Sequence, residues 1–467
     1  MKLCTDRSYG VTMPSMARNF KTVDYDQSLK QTVTIEECLP SGHLARFIVA
    51  IIAMLDLSAI YVRYAPRGGE PYAPEVLLGL VFYGYATGVF SSRKIEKATY
   101  ETIPFRFIAG GLHPDHDTIA NFRKTFLLEI ADLFVQVLLV AKEAGVLKMG
   151  NISLDGSKIH ADASKSKAVS YKHLLQLEEQ LRAEVEKLLA WGERADQGGL
   201  PEGLDVGEEI VFRQERLANL ARAKAVLELR AEARYQTEKA EYEAKLQERE
   251  AKARQKGCKP RGCAPKPPMP GPHDKDQYNF TDPESRIMKN STDDGFDQHY
   301  NAQVAVEQES LLIVANTLSN HATDQAEAIP TLDAIPDEVG KPQAAALDAG
   351  YFSEHNVTEM EQRDIDPYIA TGREPHHQSW KALFAEASAL PPEDASPTVK
   401  MAYKLKTEVG QAIYRLRKST VEPVIGIVKE VLGFRQFSLR GLAAAAGEWC
   451  LVCLAWNLKR LHVLMSN

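Results

Sequence analysis

Residues Asn151–Gly156, with the sequence NISLDG, mark the point at which the pattern of the chain changes. Before them, apolar residues recur at spacings of three and four, as in helices, whereas NISLDG is a short apolar run that ends on Asp155 with a glycine behind it. A second run of the same kind, AAALDAG, occupies Ala344–Gly350 and carries Asp348. We therefore predict two buried strands that each end on a carboxylate.

Other strand and helix patterns surround the second run. Asn301–Glu307 alternates between polar and apolar residues, Leu311–Leu318 is apolar and β-branched, and Pro367–Ala370 is a third short apolar run. Helical spacing is found in His321–Leu332 and Ser353–Gln362. The predicted order is strand, insertion, strand, strand, helix, strand, helix, strand, so we predict an α/β sheet interrupted by an insertion.

The first 150 residues predict an all-helical N-terminal domain. Apolar residues recur at helical spacing in Leu44–Ile60, Pro74–Tyr85 and Ile119–Ala144. Polar residues that can cap helices stand before two helices that carry basic side chains, Arg93 and Lys94 in one and Arg123 in the other. These cations could lie on DNA phosphates, although a plain helical packing domain fits the same pattern.

A long charged segment follows the first strand. Helical spacing from Leu174 to Leu188, and again from Leu217 to Tyr242, predicts an antiparallel helical hairpin over residues 171–256. Residues 257–273 are rich in Pro, Gly and Lys, which predicts a flexible linker. The sheet would then be built from residues 151–170 and 274–467, with a poorly ordered stretch from about Glu374 to Pro397.

Composition is that of a globular protein with an uneven distribution of charge. Hydrophobic residues make up 44% and charged residues 25%, and the formal net charge is −7. From Lys400 to the end, however, eleven Lys or Arg stand against four Glu. Such a basic part is typical of a DNA-facing region, and a solvated basic helix face is the alternative.

The cysteines and the hydropathy pattern predict a cytoplasmic protein. Six scattered cysteines do not suggest a disulfide framework. Cys450 and Cys453 lie in an apolar stretch and are predicted to be buried thiols, whereas Cys258, Cys263 and His273 are too loosely spaced to predict a metal site. The first residues have no apolar signal core, and no early apolar run reaches about 20 residues, so we predict no signal peptide and no membrane span.

Acids at the ends of adjacent strands are the ligands that hard divalent cations prefer. Mg²⁺ is commonly held by carboxylates and substrate phosphates, and two such ions can activate the attacking oxygen and stabilise the leaving oxygen in phosphoryl transfer. Gly156 and Gly350 would let a phosphate backbone come close to Asp155 and Asp348. Either acid taken alone is better explained as a strand-end turn residue or a helix cap, and only the two matching strand ends together with a basic helix make the metal site an equal alternative.

Glu422 is the candidate third acid. On a continuous helix it shares a face with Lys418 and Lys429, which could hold phosphates or could simply form surface ion pairs. Pro423 disfavours helical angles at the residue before it, so we expect Glu422 at a helix start or a kink.

Taken together, the motifs resemble those of DDE transposases of bacterial insertion sequences, of the IS1182 type in the IS4/IS5-like group. The resemblance rests on LDGSKI at residues 154–159, LDAGY at 347–351 and VEPVIGIVK at 421–429, and on N-terminal phrases such as SSRKI at 91–95 and PDHDT at 114–118. It extends over nearly the whole chain.

This resemblance implies a ribonuclease-H-like catalytic domain, interrupted by the hairpin and preceded by the helical domain. It implies Asp155, Asp348 and Glu422 as catalytic ligands of two Mg²⁺ or Mn²⁺ ions. A Tyr, Arg, Glu, Lys signature maps onto Tyr414, Arg417, Glu422 and Lys429 with one extra residue before the Glu, and Lys418 has the expected spacing instead, so either cation could take the DNA-binding role.

The expected reaction is cleavage at the ends of the element and attack of the freed 3′-hydroxyl on target DNA. The expected partners are the terminal inverted repeats and the target DNA, with a homodimer in the DNA complex. Two alternatives share parts of this sequence: a metal-dependent DNA nuclease without strand transfer, and a domesticated, non-catalytic DNA-binding protein.

Overall fold

The computed structural model describes residues 34–64, 70–195, 205–255, 263–290, 295–372, 391–392 and 395–466. Within these residues the chain forms a mixed α/β structure, as its sequence predicts. Most of the stretch from Glu374 to Pro397 that was predicted to be poorly ordered lies outside the described residues. Cys258 and residues 257–262 of the predicted linker also lie outside them.

Helices occupy the described part of the chain before the sheet. Pro74 stands at the first turn of one of them, where its missing N–H costs nothing, and the Asp115 side chain caps another by accepting from Thr118 N at 2.8 Å. The helices predicted in this region are confirmed. They are α1 Ile35–Cys38, α2 Leu44–Ile52, α3 Ser58–Tyr61, α4 Pro74–Ala86, α5 Ser92–Glu101, α6 Ile103–Ile108, α7 His116–Thr125 and α8 Leu127–Glu143.

Strands predicted from the apolar runs form one mixed sheet, and a separate short pair joins β2 to β3. In the sheet, β5 pairs antiparallel with β1, while β7 pairs parallel with β1 and β8 pairs parallel with β7, giving the order β4-β5-β1-β7-β8 with β6 also on β5. The strands are β1 Asn151–His160, β2 Ala168–Ser170, β3 Gln277–Asn279, β4 Arg286–Lys289, β5 Phe296–Glu307, β6 Ile313–Ser319, β7 Ala344–Leu347 and β8 Asp366–Ile369.

The first strand is longer than predicted. β1 does not end at Asp155 but continues through Gly156 to His160. The reason is that its antiparallel partner β5 is a long strand whose pairing runs from Ile152 opposite Glu307 to His160 opposite His299. Only the parallel pairing with β7 stops early, at Ser153 opposite Ala346.

Further helices cover the sheet and extend from it. Only the end of the predicted helix His321–Leu332 is helical. The helices are α9 Tyr171–Ala195, α10 Val206–Gln255, α11 Ala328–Asp333, α12 Glu354–Gln362, α13 Pro397–Lys404, α14 Glu408–Gly426 and α15 Leu442–Ser466, with a π-helical turn at Ile427–Val431.

The helices α9 and α10 pack antiparallel along one another. Glu184 of α9 pairs with Arg213 of α10 at 2.8 Å, and Glu178 pairs with Lys224 at 3.1 Å, so the pairing runs in opposite directions along the two helices. Between them lies a small apolar cluster that includes Leu181 and also takes in residues of β2 and β3. The two helices therefore have their own packed seam.

The closing helix α15 joins the N-terminal helices to the sheet. Its Trp449 Nε1 donates to Gln303 O on β5 at 3.1 Å, and its buried Glu448 accepts from Tyr85 Oη of α4 at 2.9 Å. Cys450 and Cys453 are buried in this helix, as predicted. One continuous apolar core contains residues of α2 to α8, the sheet and α15.

Candidate active site

Asp155 and Asp348 are brought together by the parallel pairing of β1 and β7. Continuing the register of Ser153 opposite Ala346 by two residues sets Asp155 opposite Asp348, just past the end of β7. Each carboxylate is fixed by a backbone amide: Asp155 Oδ1 accepts from Gly156 N at 2.8 Å, and Asp348 Oδ1 accepts from Gly350 N at 2.7 Å. The two acids predicted from the sequence thus share one edge of the sheet.

Glu422 comes to the same face on α14. This helix continues through Pro423, so Glu422 lies well inside it, and the expected helix start at this residue is wrong. Proline removes one hydrogen bond there, but Val421 and Val424 are buried on either side and hold the helix in place. Thr420 Oγ1 also donates to Ser153 Oγ of β1 at 2.8 Å, which fixes the helix beside Asp155.

Arg417 lies between two of the acids. Its Nη1 donates to Asp155 Oδ2 at 3.1 Å and its Nη2 donates to Glu422 Oε1 at 3.0 Å. The Arg417 side chain is 9% exposed, whereas Lys418 is exposed. Of the two cations left open by the spacing, it is Arg417 that contacts the acids.

Lys429 lies on the same face, farther along β1. Its Nζ donates to Ser157 Oγ at 3.0 Å, and Ser153, Asp155 and Ser157 share one face of the strand because side chains alternate. Burial lowers the pKa of Lys429 below its usual value, against the opposing effect of Glu430. This face of β1 therefore carries one carboxylate with two cations next to it.

Asp155 is poised to take up a proton. The pKa of its carboxyl is raised to about 7, mainly by burial and also by the nearby charges of Asp348 and Glu422, while Arg417 and the Gly156 amide oppose the rise. The net rise shows that burial and like charge outweigh the bound guanidinium. A cation placed among these acids would relieve both effects.

The donor set fits a hard divalent cation in its chemistry, since it consists of carboxylates with excess negative charge. Within the described residues, however, no three His, Cys, Asp or Glu side chains are grouped closely enough to hold an ion. The Arg417 guanidinium lies between Asp155 and Glu422 and donates to both carboxylates. Arg417 Nε is buried and has no partner among the described residues, so its present contacts leave one donor unused.

In metal-free buffer, Asp155→Asn is expected to stabilise the protein at neutral pH and above. The Asp155 carboxyl holds its proton more tightly when folded, with a pKa of about 7, than when unfolded, with an ordinary value of 3.8. The folded wild type therefore loses stability as the pH rises from about 4 to about 7, by at most roughly 1.4 kcal/mol per pH unit, and the asparagine removes that loss.

Urea unfolding of both proteins in EDTA measures the difference in the free energy of unfolding. That difference should be small near pH 4, grow up to about pH 7 and then stay constant. A difference that is the same at every pH would show that the Asp155 carboxyl is not strained by its surroundings.

The remaining candidate DNA-binding residues lie in different environments. Arg93 and Lys94 are exposed on α5, and Tyr414 lies half-buried on α14 with its ring 5.9 Å from the Arg417 guanidinium carbon. Arg123 is 7% exposed, and its Nη1 donates to Tyr85 Oη at 2.8 Å. Arg123 thus joins α7 to α4 inside the core and does not reach the surface.

Gly156, beside Asp155, has a structural role that the sequence does not reveal. A Cβ on Gly156 would overlap the Gln303 amide and lie 2.9 Å from Asp324 Oδ1, so that space is filled by protein and not open to a phosphate. The sequence did not predict that Asp324 and Gln303 lie beside Gly156. Neither stands in a recognisable motif, and only the pairing of β1 with β5 brings them to Asp155.

Comparison with known protein families gives two matches. Residues 33–125 match the Transposase domain (DUF772), and residues 388–462 match the Transposase DDE domain. The first match covers α1 to α7, including Arg93 and Lys94. The second covers α13, α14 and most of α15, including Glu422, while Asp155 and Asp348 lie in neither. No curated protein and no solved structure matches the chain.

The described residues contain no helix that is both long enough and apolar enough to span a bilayer.

The two family matches lie on either side of the β1–β8 region that carries Asp155 and Asp348, and they are the N-terminal and DDE parts that the sequence motifs indicate. Both matched domains are transposase domains, and together they support a DDE transposase of the IS1182 type.

Proposed function

We propose that the chain cuts DNA at the ends of an insertion sequence and joins the freed 3′-hydroxyl ends to target DNA, with Asp155, Asp348 and Glu422 as its catalytic residues. The observation that carries the proposal is that these three acids, from β1, the end of β7 and α14, lie at one face of the sheet, with Arg417 bonded to two of them. Two bound Mg²⁺ or Mn²⁺ ions would supply the activation of the attacking oxygen and the stabilisation of the leaving oxygen.

The sheet is proposed to be a ribonuclease-H-like catalytic domain made of residues 151–170 and 274–467. The order β6-β5-β1-β7-β8 supports this proposal, because three antiparallel strands are followed by two that run parallel to the first. We propose that α9 and α10 are a helical insertion at residues 171–256 that contacts DNA or a second chain, and that residues 1–150 form a DNA-binding domain.

Arg417 is proposed to change partners during the reaction. A cation held by both Asp155 and Glu422 requires the guanidinium to release at least one of them. Its planar fork of donors matches phosphate oxygens as well as carboxylates, so the released side chain can bind the phosphate at the cleavage point. Lys429, anchored beside Ser157, would hold a neighbouring phosphate.

The basic side chains of α5 extend the proposed DNA surface. The loop before this helix packs on the segment that follows Lys429: the Phe90 and Phe434 rings are 5.2 Å apart between centroids, and a Cβ on Gly88 would lie 2.7 Å from Leu432 O. Arg93 and Lys94 are exposed three and four residues beyond Phe90. We therefore propose that a duplex bound at the acids continues over α5, within a homodimer formed on DNA.

The proposal is tested with purified protein and DNA that carries the inverted repeats flanking the coding sequence. In Mg²⁺ we expect strands cut at the repeat ends and, with a target plasmid, products joined through the 3′-hydroxyl. Cutting without joining would support a nuclease instead. Repeat binding without either reaction would support a non-catalytic DNA-binding protein.

A further inference from the structure

Asp324 lies beside the site on the loop between β6 and α11. Its Oδ1 accepts two hydrogen bonds, from Asn301 Nδ2 at 2.7 Å and from Gln303 Nε2 at 2.9 Å. Both amides are buried on β5, and Gln303 is the residue that β5 sets opposite Gly156. The glycine leaves the room in which this contact is made.

The orientation of the Gln303 amide is fixed from its other end. The buried Tyr351 hydroxyl donates to Gln303 Oε1, so the NH₂ group of the amide must face Asp324. A buried Asn356 ties the two loops together, because its Nδ2 donates to Gln325 O and to Tyr351 O, each at 2.7 Å. The Asp324 carboxylate is therefore held rigidly against the turn that follows Asp348.

The second oxygen of Asp324 faces that turn. A Cβ on Gly350 would lie 3.7 Å from Asp324 Oδ2 and 3.0 Å from Asp348 Oδ1, so both oxygens border the same small space. No donor among the described residues bonds to Asp324 Oδ2, and neither acid has an ion pair within the described part of the chain. Two carboxylates in this arrangement repel one another unless a cation stands between them.

A purely structural role would not need this charge. An asparagine at position 324 could accept the same two hydrogen bonds through its one carbonyl oxygen, without a second negative group beside Asp348. Carboxylates that bind metals, by contrast, commonly have one oxygen held by hydrogen bonds, which fixes the direction of the other. The network of Asn301, Gln303 and Tyr351 has this form.

We propose that Asp324 is a fourth carboxylate of the active site and that it holds a divalent cation together with Asp348. This inference rests on the proposed function, since it assigns a further ligand to the same reaction. Asp324 would help to hold one of the two ions, and Asp155 and Glu422 the other. The amide network would fix the position of that ion before DNA is bound.

The test is a titration of the metal-free full chain with Mn²⁺. The amount of free Mn²⁺ is measured at each step by electron paramagnetic resonance, and the bound amount is obtained by difference. Asp324→Asn keeps the acceptor for both amides and removes the charge, and we expect it to weaken one class of Mn²⁺ site by about tenfold or more. Asp364→Asn is the matched control, because Asp364 is an exposed acid paired with Lys341 on the surface, and it should bind as the wild type does.

The possible outcomes distinguish a failure of the role proposed for Asp324 from a failure of the proposed two-metal function. Wild-type affinity in Asp324→Asn, with weakened binding in Asp155→Asn, would overturn the role of Asp324 and leave the catalytic acids standing. If the wild type itself bound no Mn²⁺, the two-metal function would fail and the inference with it.

A second variant covers the case in which circular dichroism shows Asp324→Asn to be unfolded. Asn301→Ser removes one of the two donors and leaves the Asp324 carboxylate in place. It should weaken the same class of Mn²⁺ site by a smaller factor. Unchanged binding in a folded Asn301→Ser protein would overturn the proposal.

Discussion

The Asp348→Asn protein is expected to bind the inverted repeats as the wild type does and to be inactive in both cutting and joining. Asp348 follows the end of β7 beside Asp155 and has no ion pair among the described residues, so its charge is available to a cation. A metal ligand contributes several kcal/mol to stabilisation of the transition state, and at 1.4 kcal/mol per factor of ten its loss should slow cleavage by about 10³-fold or more.

Cleavage of a labelled repeat end in Mg²⁺, together with a gel-shift measurement of DNA affinity, checks this expectation. Asp364→Asn makes the same chemical change at a surface ion pair and should retain full activity. Cleavage by Asp348→Asn at a rate close to that of the wild type would remove Asp348 from the catalytic set.

Arg417→Ala is expected to bind metal at least as tightly as the wild type does and to lose most of its cleavage activity. Without the guanidinium, Asp155 and Glu422 lose their bound cation, so Mn²⁺ should bind at least as tightly as before. The phosphate at the cleavage point loses its proposed ligand, and removal of one such preorganised donor costs on the order of 10² to 10³ in rate. The variant would therefore bind Mn²⁺ but cleave DNA far more slowly than the wild type.

Mn²⁺ binding and single-turnover cleavage, measured on the same preparation, separate these two effects. Lys418→Ala is the matched control, because it removes the adjacent, exposed cation of the same helix. A larger loss of cleavage in Lys418→Ala than in Arg417→Ala would reverse the roles assigned to the two cations. Weaker Mn²⁺ binding in Arg417→Ala would show that the arginine supports the metal site and does not compete with it.

The sequence predicted that the two aspartates lie on or just after buried strands, because the local pattern is enough to indicate such strands. A short apolar run that ends in Asp and Gly indicates a strand end whether or not its neighbours are known. For Asp348 this was correct in detail. For Asp155 the residue was found but the strand end was not, since the length of β1 is set by its pairing with the distant strand β5.

In helix α14 tertiary packing overrides the local effect of a proline. Pro423 disfavours a helical residue before it, yet Glu422 is helical, because Val421 and Val424 are buried and Thr420 is bonded to β1. The choice between Arg417 and Lys418 also depended on which side of this helix faces the sheet, which their spacing from Glu422 did not decide.

The environments of Arg123 and Asp324 could not be predicted from the sequence. Arg123 has the charge and the position on a predicted helix that a phosphate ligand would have. Its guanidinium instead donates to the Tyr85 hydroxyl and the Phe90 carbonyl inside the core. Asp324 lies in an ordinary polar loop and becomes significant only through its amide partners on β5. Both facts depend on contacts between residues far apart in the chain.

The central claim, that the acids from β1, β7 and α14 form one metal site, is tested most directly by iron-mediated cleavage of the protein. Fe²⁺ that replaces Mg²⁺ generates radicals with ascorbate and peroxide, and these cut the backbone next to the bound ion. We expect cuts, mapped by mass spectrometry, close to Asp155, Asp348 and Glu422, and we expect excess Mg²⁺ to suppress them. Cuts at other places, or cuts that Mg²⁺ does not suppress, would contradict the claim.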